Sequence, residues 1–139
     1  MKTKTILYLS VFLLLISCKK GKPSNYQDYL NEQMYEHYAE FAEKYNKVVI
    51  IPRTGCHTCK DYADLYFKEN KNNEDHFFIF TKLISKKQLT IELGKETLEQ
   101  ENVKIDNDNH FYSIEYLDSE YPLLLTKKAN GVFEYSLLE

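Results

Sequence analysis

The sequence predicts an α/β fold in which a mixed central sheet carries helices on both faces and closes with a C-terminal β-hairpin. Two observations support this prediction. Short apolar runs alternate along the chain with longer segments whose apolar residues recur every three or four positions, a pattern typical of parallel strands joined by helices. Asn130-Gly131 then separates the last two apolar runs, and this dipeptide is a strong hairpin signal. The hairpin would add antiparallel strands to the parallel ones.

Helical spacing is clearest near the N-terminus. Apolar residues recur every three or four positions over 25–46, and Ser24 and Gln27 fit a capping box at the start of this segment. A second capping box begins at Ser85, and Gly94 offers a C-terminal cap. The other helical segments are predicted over 56–70, 95–101 and 110–117.

The strands are predicted from short apolar runs. Residues 47–52 and 76–81 are almost continuously apolar, which indicates strands that are buried on both faces. The other strands are predicted over 103–106, 123–126 and 132–138.

Length and composition indicate one folded domain. The chain has 139 residues, of which 43% are hydrophobic and 28% charged, as in globular proteins. It contains 12 Tyr and 8 Phe but no Trp, so we expect an aromatic-rich core. The formal net charge is −3, and the sequence has no basic patch. A mildly acidic domain of this kind is a poor candidate for a nucleic-acid partner.

The first residues are predicted to be a targeting segment. Lys2 and Lys4 precede an apolar run over 6–16, about half of the ~20 residues that a membrane-spanning helix needs. This pattern is typical of a secretory signal peptide. The Leu-Ile-Ser-Cys motif that ends at Cys18 resembles the lipobox of bacterial lipoproteins, and the resemblance implies cleavage before Cys18 and lipidation of that residue. An uncleaved anchor and a plain signal peptide are the alternatives.

These features divide the chain into three parts. We expect a signal peptide over 1–17, the lipidated cysteine with a tether over 18–25, and the folded domain over 26–139. The lipid on Cys18 would hold the domain at a membrane of the cell envelope, facing the periplasm, where disulfides can form. Lys19 follows the cysteine where inner-membrane retention signals of some bacterial lipoproteins have Asp, so the resemblance favours the outer membrane.

The chemistry of the chain is predicted to lie in Cys56-His57-Thr58-Cys59, between a buried strand and a helix. Two cysteines three positions apart at a helix start lie within disulfide reach. The free N–H groups of the first turn favour the Cys56 thiolate, so its pKa should be depressed. Cys59 lies one turn further on and should be more buried, which suits it to resolve a mixed disulfide.

Other interpretations of the pair are weaker. As a structural staple it would close a loop of four residues, worth only about 2 kcal/mol in chain-entropy bookkeeping. It could also be half of a zinc site, but the chain has no second cysteine pair. We therefore predict no metal and no cofactor. His57, as imidazolium, would stabilise the thiolate and make the disulfide more oxidising; the alternative is an exposed histidine without that role.

The pair and its surroundings resemble the thioredoxin fold, in particular the membrane-tethered extracytoplasmic thioredoxin-like proteins. The segments that carry the resemblance are KVVIIPRTGCHTCK over 47–60, the strand-Asp-helix pattern over 103–117, and Glu120-Tyr121-Pro122 followed by a strand, Asn130-Gly131 and a further strand. The resemblance implies that Pro122 is preceded by a cis peptide bond and packs beside the cysteines.

Two residues depart from the pattern of that family. Gly55 stands where most members have Trp, and Ile50 stands where many thioredoxin-like reductases keep a buried acid. The leading hypothesis is a lipid-anchored periplasmic thiol–disulfide oxidoreductase. It would exchange with thiols and disulfides of partner proteins, with Cys56 attacking, Cys59 resolving and Pro122 shaping the groove. The alternative is a non-catalytic thioredoxin-fold lipoprotein that binds a protein partner and keeps a structural disulfide.

Overall fold

The structure, a computed structural model, describes residues 23–138. The predicted signal peptide over 1–17 and the predicted lipidation site at Cys18 lie outside these residues. The helices are α1 (Tyr26–His37), α2 (Ala39–Lys44), α3 (His57–Asn70), α4 (Lys86–Leu93), α5 (Lys95–Leu98) and a 3-10 helix (Leu117–Glu120). The strands are β1 (Lys47–Pro52), β2 (His76–Thr81), β3 (Val103–Ile105), β4 (Leu123–Lys127) and β5 (Phe133–Leu137). Over the described residues, no helix is long and apolar enough to cross a bilayer.

The strands form one mixed sheet in the order β3-β2-β1-β4-β5. β1 pairs in parallel with β2, and β2 with β3, whereas β4 runs antiparallel to both β1 and β5. The predicted α/β class, the mixed sheet and the terminal hairpin are therefore confirmed. Because Ile50 of β1 lies opposite Leu123 of β4, the end of β1 and the start of β4 meet at one edge of the sheet. The cysteine pair follows β1 at this edge.

Helices cover both faces of the sheet, as predicted. Val48 and Ile50 belong to a core cluster with residues of α1 and α2, while Val49 and Ile51 belong to a second cluster with residues of α3 and α4. Alternate residues of one strand thus enter opposite cores, which explains why β1 and β2 read as continuous apolar runs. The fully buried rings of both cores include Phe67, Phe77, Phe78, Phe80, Phe111 and Phe133.

The N-terminal helix is not continuous over 25–46 as predicted. It breaks at Tyr38, where the backbone has φ −134° and ψ 32°. Desolvation of the half-buried Tyr38 phenol raises its pKa to about 12. After the break, the ring of Phe41 stacks on Phe77 with centroids 4.5 Å apart. Packing of these aromatic side chains therefore overrides the helical spacing. The N-cap is Asn25, whose side chain accepts from the Asp28 N–H.

The helical turn predicted over 110–117 is also wrong. Asp106 is buried, and its Oδ2 accepts hydrogen bonds from Thr81 Oγ1 at 2.8 Å and from the Phe111 N–H at 3.2 Å. The Tyr116 ring stacks on Tyr26 at 4.8 Å between centroids. A backbone N–H bonded to a side chain is withdrawn from a helix, so this segment stays irregular until the 3-10 helix.

The outer edge of β5 is covered by two side chains of α1. The Asn31 amide donates to the Phe133 carbonyl and accepts from the Phe133 N–H, both at 2.8 Å. Gln27 Oε1 accepts from the Tyr135 N–H at 3.1 Å. These amides occupy backbone groups that an exposed edge strand would offer to another chain, so this edge is closed to strand addition.

Candidate redox site

The two predicted cysteines form a disulfide at the start of α3. Their Cα atoms lie 5.3 Å apart. Cys56 is the N-cap of the helix, and its sulfur accepts from the Cys59 N–H at 3.3 Å. In the reduced protein the same donor and the helix dipole favour the Cys56 thiolate. Both cysteines are partly buried, so burial does not set Cys59 apart in the way that was predicted.

Side chains between the cysteines lie close to the sulfur or point into solvent. Thr58 Oγ1 lies 3.9 Å from Cys56 Sγ. The His57 side chain is 85% exposed, and its Nδ1 lies 4.0 Å from Asp61 Oδ1. Water and salt screen an exposed imidazolium, and the Asp61 carboxylate opposes its field. The geometry therefore gives His57 a smaller influence on Cys56 than the predicted role requires.

Arg53, three residues before Cys56, is buried: its side chain is only 6% exposed and pairs with two carboxylates. The guanidinium makes a bidentate contact with Asp64 and bonds Glu92 at 2.6 Å. It also lies over the Phe80 ring, 5.7 Å from the centroid. Its charge is compensated, and it ties the end of β1 to α3 and α4.

Gly55 brings the cysteine loop against the segment before β4. Its φ is +110°, and a Cβ atom there would lie 3.0 Å from the Glu120 carbonyl oxygen and 3.3 Å from Glu120 Oε2. Only glycine combines this backbone conformation with this close approach, which accounts for the departure from Trp. Glu120, two residues before Pro122, thus lies against the residue before Cys56, and the packing of Pro122 itself beside the cysteines stays a prediction.

The predicted cis bond before Pro122 is wrong, because every peptide bond over residues 23–138 is trans. Pro122 is buried, and its carbonyl accepts from the Leu138 N–H at 2.9 Å. Tyr121 is extended, with φ −110° and ψ 152°. This is the conformation that a residue before a trans proline favours. It leads directly into the pairing of β4 with β1.

A charged cluster that the sequence did not predict adjoins Gly55. Lys82 Nζ lies 2.5 Å from Glu120 Oε2, and the Tyr112 hydroxyl donates to Glu120 Oε1 at 2.9 Å. The hydrogen bond from Lys82 lowers the pKa of Glu120. Burial is the largest single influence on the Lys82 pKa and lowers it, but the hydrogen bonds to Glu120 and Tyr112 and the charge interactions with the same two groups together outweigh it, so the pKa is raised. Both groups are therefore ionised at neutral pH.

A recess of about 260 Å³ opens beside the disulfide. Ile84, which is 79% exposed, and Lys60 both line it. Thr54 Oγ1 is buried at the recess and has no hydrogen-bond partner over residues 23–138. The recess thus offers a partner an apolar side chain and a cation close to Cys56.

The described part of the chain contains no candidate metal site. No group of three or more His, Cys, Asp or Glu side chains over residues 23–138 is arranged to hold a metal ion.

Comparison with known proteins adds no assignment. No family model, no curated protein and no solved structure matches this chain. The class of protein proposed below therefore depends on its α/β fold and on the geometry around Cys56 and Cys59.

Proposed function

We propose that the chain is a lipid-anchored, periplasm-facing thiol–disulfide oxidoreductase with a thioredoxin-like fold. The observation that carries the proposal is the Cys56–Cys59 disulfide at the N-terminus of α3, directly after the buried strand β1. A loop of four residues contributes only about 2 kcal/mol as a staple. The position of the disulfide among the free N–H groups at the helix start favours a role in thiol–disulfide exchange over a purely structural role.

The thioredoxin-like part of the proposal is supported by the arrangement around the pair. The disulfide follows a central parallel strand, and β4 and β5 form an antiparallel hairpin on its other side. The segment that leads into β4 lies against the cysteine loop through Glu120 and Gly55. The trans bond before Pro122 is the clearest departure.

The reaction is exchange between the disulfide and a dithiol of a partner protein. A partner thiolate attacks Cys56 Sγ, a mixed disulfide forms, and the bond to Cys59 breaks. Cys59 leaves as a thiolate and takes up a proton. The second partner thiol, after losing its proton, attacks the partner sulfur of the mixed disulfide and releases Cys56 as a thiolate. The two electrons thus pass from the partner to the cysteine pair, while of the two protons that the partner loses one goes to Cys59 and one to solvent. The reverse sequence reduces a partner disulfide.

Each residue has a defined part in this exchange. Cys56 forms the mixed disulfide, because its sulfur borders the open recess. Cys59, one helical turn further on, is displaced in this direction and resolves the mixed disulfide in the reverse reaction. Glu120 lies against the loop at Gly55, Pro122 would shape the groove beside it, and the recess with Ile84 receives the partner chain. No metal, cofactor or nucleic acid takes part.

The proposal predicts an accessible disulfide and an acidic thiol. Brief treatment of the full chain with a mild dithiol reductant should make Cys56 alkylatable. The alkylation rate should rise with pH and reach its plateau before about pH 8, because the pKa of Cys56 should lie below the free thiol value of about 8.5. Mass spectrometry of the modified peptide measures both. A disulfide that stays closed in the folded protein under these conditions contradicts the proposal.

Lipid anchoring makes a separate prediction. The native protein should sediment with membranes, whereas a Cys18→Ala variant should be released or mislocalised because it lacks the acceptor for the lipid. Fractionation followed by immunoblotting checks this, with Cys59→Ala as the matched control that keeps the anchor. Native protein that is soluble in the periplasm and carries no lipid would remove this part of the proposal.

A non-catalytic binding module is the second candidate. Two observations favour it: the trans bond before Pro122, and Ile50, which is 1% exposed and apolar where related reductases keep an acid. In that case the disulfide would be structural and would resist the mild reductant. The alkylation experiment therefore separates the two candidates.

A further inference from the structure

Three loops meet at the residue before Cys56. The loop after β1 contributes Gly55, the loop after β2 contributes Lys82, and the segment before β4 contributes Glu120. Lys82 has a positive φ of 53°, and its N–H donates to Asn109 Oδ1 at 2.9 Å. Tyr112 donates to the carboxylate and lies under the ammonium group, with Nζ 4.0 Å from the ring centroid. Contacts with Asn109 and Tyr112 thus hold the Lys82–Glu120 ion pair in place.

We propose that Glu120 and Lys82 are positioning residues that set the acidity of Cys56, and through it the redox poise of the disulfide. This inference rests on the proposed function. Glu120 Oε2 would lie 3.3 Å from a Cβ atom at position 55, so a negative charge lies beside the residue that precedes Cys56. Lys82 balances that charge at 2.5 Å.

The two charges act on the thiolate with opposite signs. Glu120 alone disfavours the Cys56 thiolate by repulsion, and Lys82 alone favours it. Their side chains are 35% and 24% exposed, so solvent screens them only in part. A change in thiolate stability shifts the reduced form of the pair and therefore its reduction potential. With both charges present, the Cys56 pKa should lie between the higher value that Glu120 alone would give and the lower value that Lys82 alone would give.

Near-isosteric variants separate this role from a structural one. Glu120→Gln keeps an oxygen that can accept from Tyr112 and removes only the charge. Lys82→Met keeps the aliphatic stem over the Tyr112 ring and removes the ammonium group. A purely structural role predicts that both variants loosen the loop in the same way. Charge tuning predicts effects of opposite sign.

The test is the pKa of Cys56 in the chemically reduced full chain, with Cys18→Ser in every variant so that no third thiol interferes. Glu120→Gln should lower this pKa by about half a pH unit, threefold in the acid dissociation constant, and Lys82→Met should raise it by a similar amount. The double variant should return close to the parent value. Where the thiolate dominates, threefold in the exchange equilibrium is about 14 mV for two electrons.

Controls keep the result specific. Lys44 and Glu101 form an ion pair of the same 2.5 Å length at another site, and Glu101→Gln should leave the Cys56 pKa unchanged. Circular dichroism verifies that each variant is folded. Shifts in the same direction for both variants, or no shift in either, overturn the inference. Because the pKa is measured without a partner protein, a failure of exchange activity leaves this test intact and counts only against the proposed function.

Discussion

Replacing Arg53 by methionine is expected to lower the free energy of unfolding by about 3–5 kcal/mol, the usual cost of removing one partner from a buried ion pair. The Arg53 side chain is 6% exposed and bonds both Asp64 and Glu92. Methionine retains apolar volume over Phe80 but leaves the Asp64 and Glu92 carboxylates without their guanidinium partner. Urea denaturation at pH 7, followed by circular dichroism, measures the change.

A solvent-exposed pair provides the control for this experiment. Lys128 and Glu134 lie 3.0 Å apart with side chains 49% and 63% exposed. Lys128→Met should therefore cost less than about 1 kcal/mol. If Arg53→Met costs no more than Lys128→Met, the buried network does not hold α3 and α4 to the end of β1.

The second large effect is expected from trapping the mixed disulfide. In a Cys59→Ser variant the residue that releases the partner is missing, so covalent adducts through Cys56 should accumulate in cells. In a Cys56→Ser variant they should be absent, because Cys56 is the N-cap residue that borders the recess and Cys59 lies within the first turn of α3. Non-reducing electrophoresis with immunoblotting shows the adducts, and dithiothreitol removes them.

The difference between the two variants is the informative result. The Cys56→Ser/Cys59→Ser double variant controls for adducts that do not depend on the pair. A structural disulfide would give no adducts in either single variant, or equal amounts in both. Either outcome would favour the binding module over the oxidoreductase.

Local patterns in the sequence were sufficient for much of the fold. Continuous apolar runs predicted β1 and β2, and Asn130-Gly131 predicted the hairpin of β4 and β5. The spacing of Cys56 and Cys59 at a strand–helix junction predicted a pair within disulfide reach at a helix start. These features depend on neighbouring residues along the chain, so one sequence is enough to recognise them.

Contacts between distant residues could not be predicted in this way. Lys82 and Glu120 lie 38 positions apart and meet only because three loops converge at Gly55. No pattern in the sequence near Arg53 indicates that its side chain is buried and paired with two carboxylates. The bond before Pro122 is trans, whereas the cis expectation came from resemblance alone. The break at Tyr38 is likewise associated with a distant contact, the stacking of Phe41 on Phe77.

The reduction potential of the Cys56–Cys59 couple tests the central claim most directly. The full chain with Cys18→Ser is equilibrated with a series of dithiol or glutathione buffers, and the fraction of reduced pair is read from the mass added by alkylation. Stabilisation of the Cys56 thiolate at the helix start predicts a midpoint above thioredoxin's value of about −270 mV. A midpoint below about −300 mV, where structural disulfides of secreted proteins lie, would contradict a role in thiol–disulfide exchange.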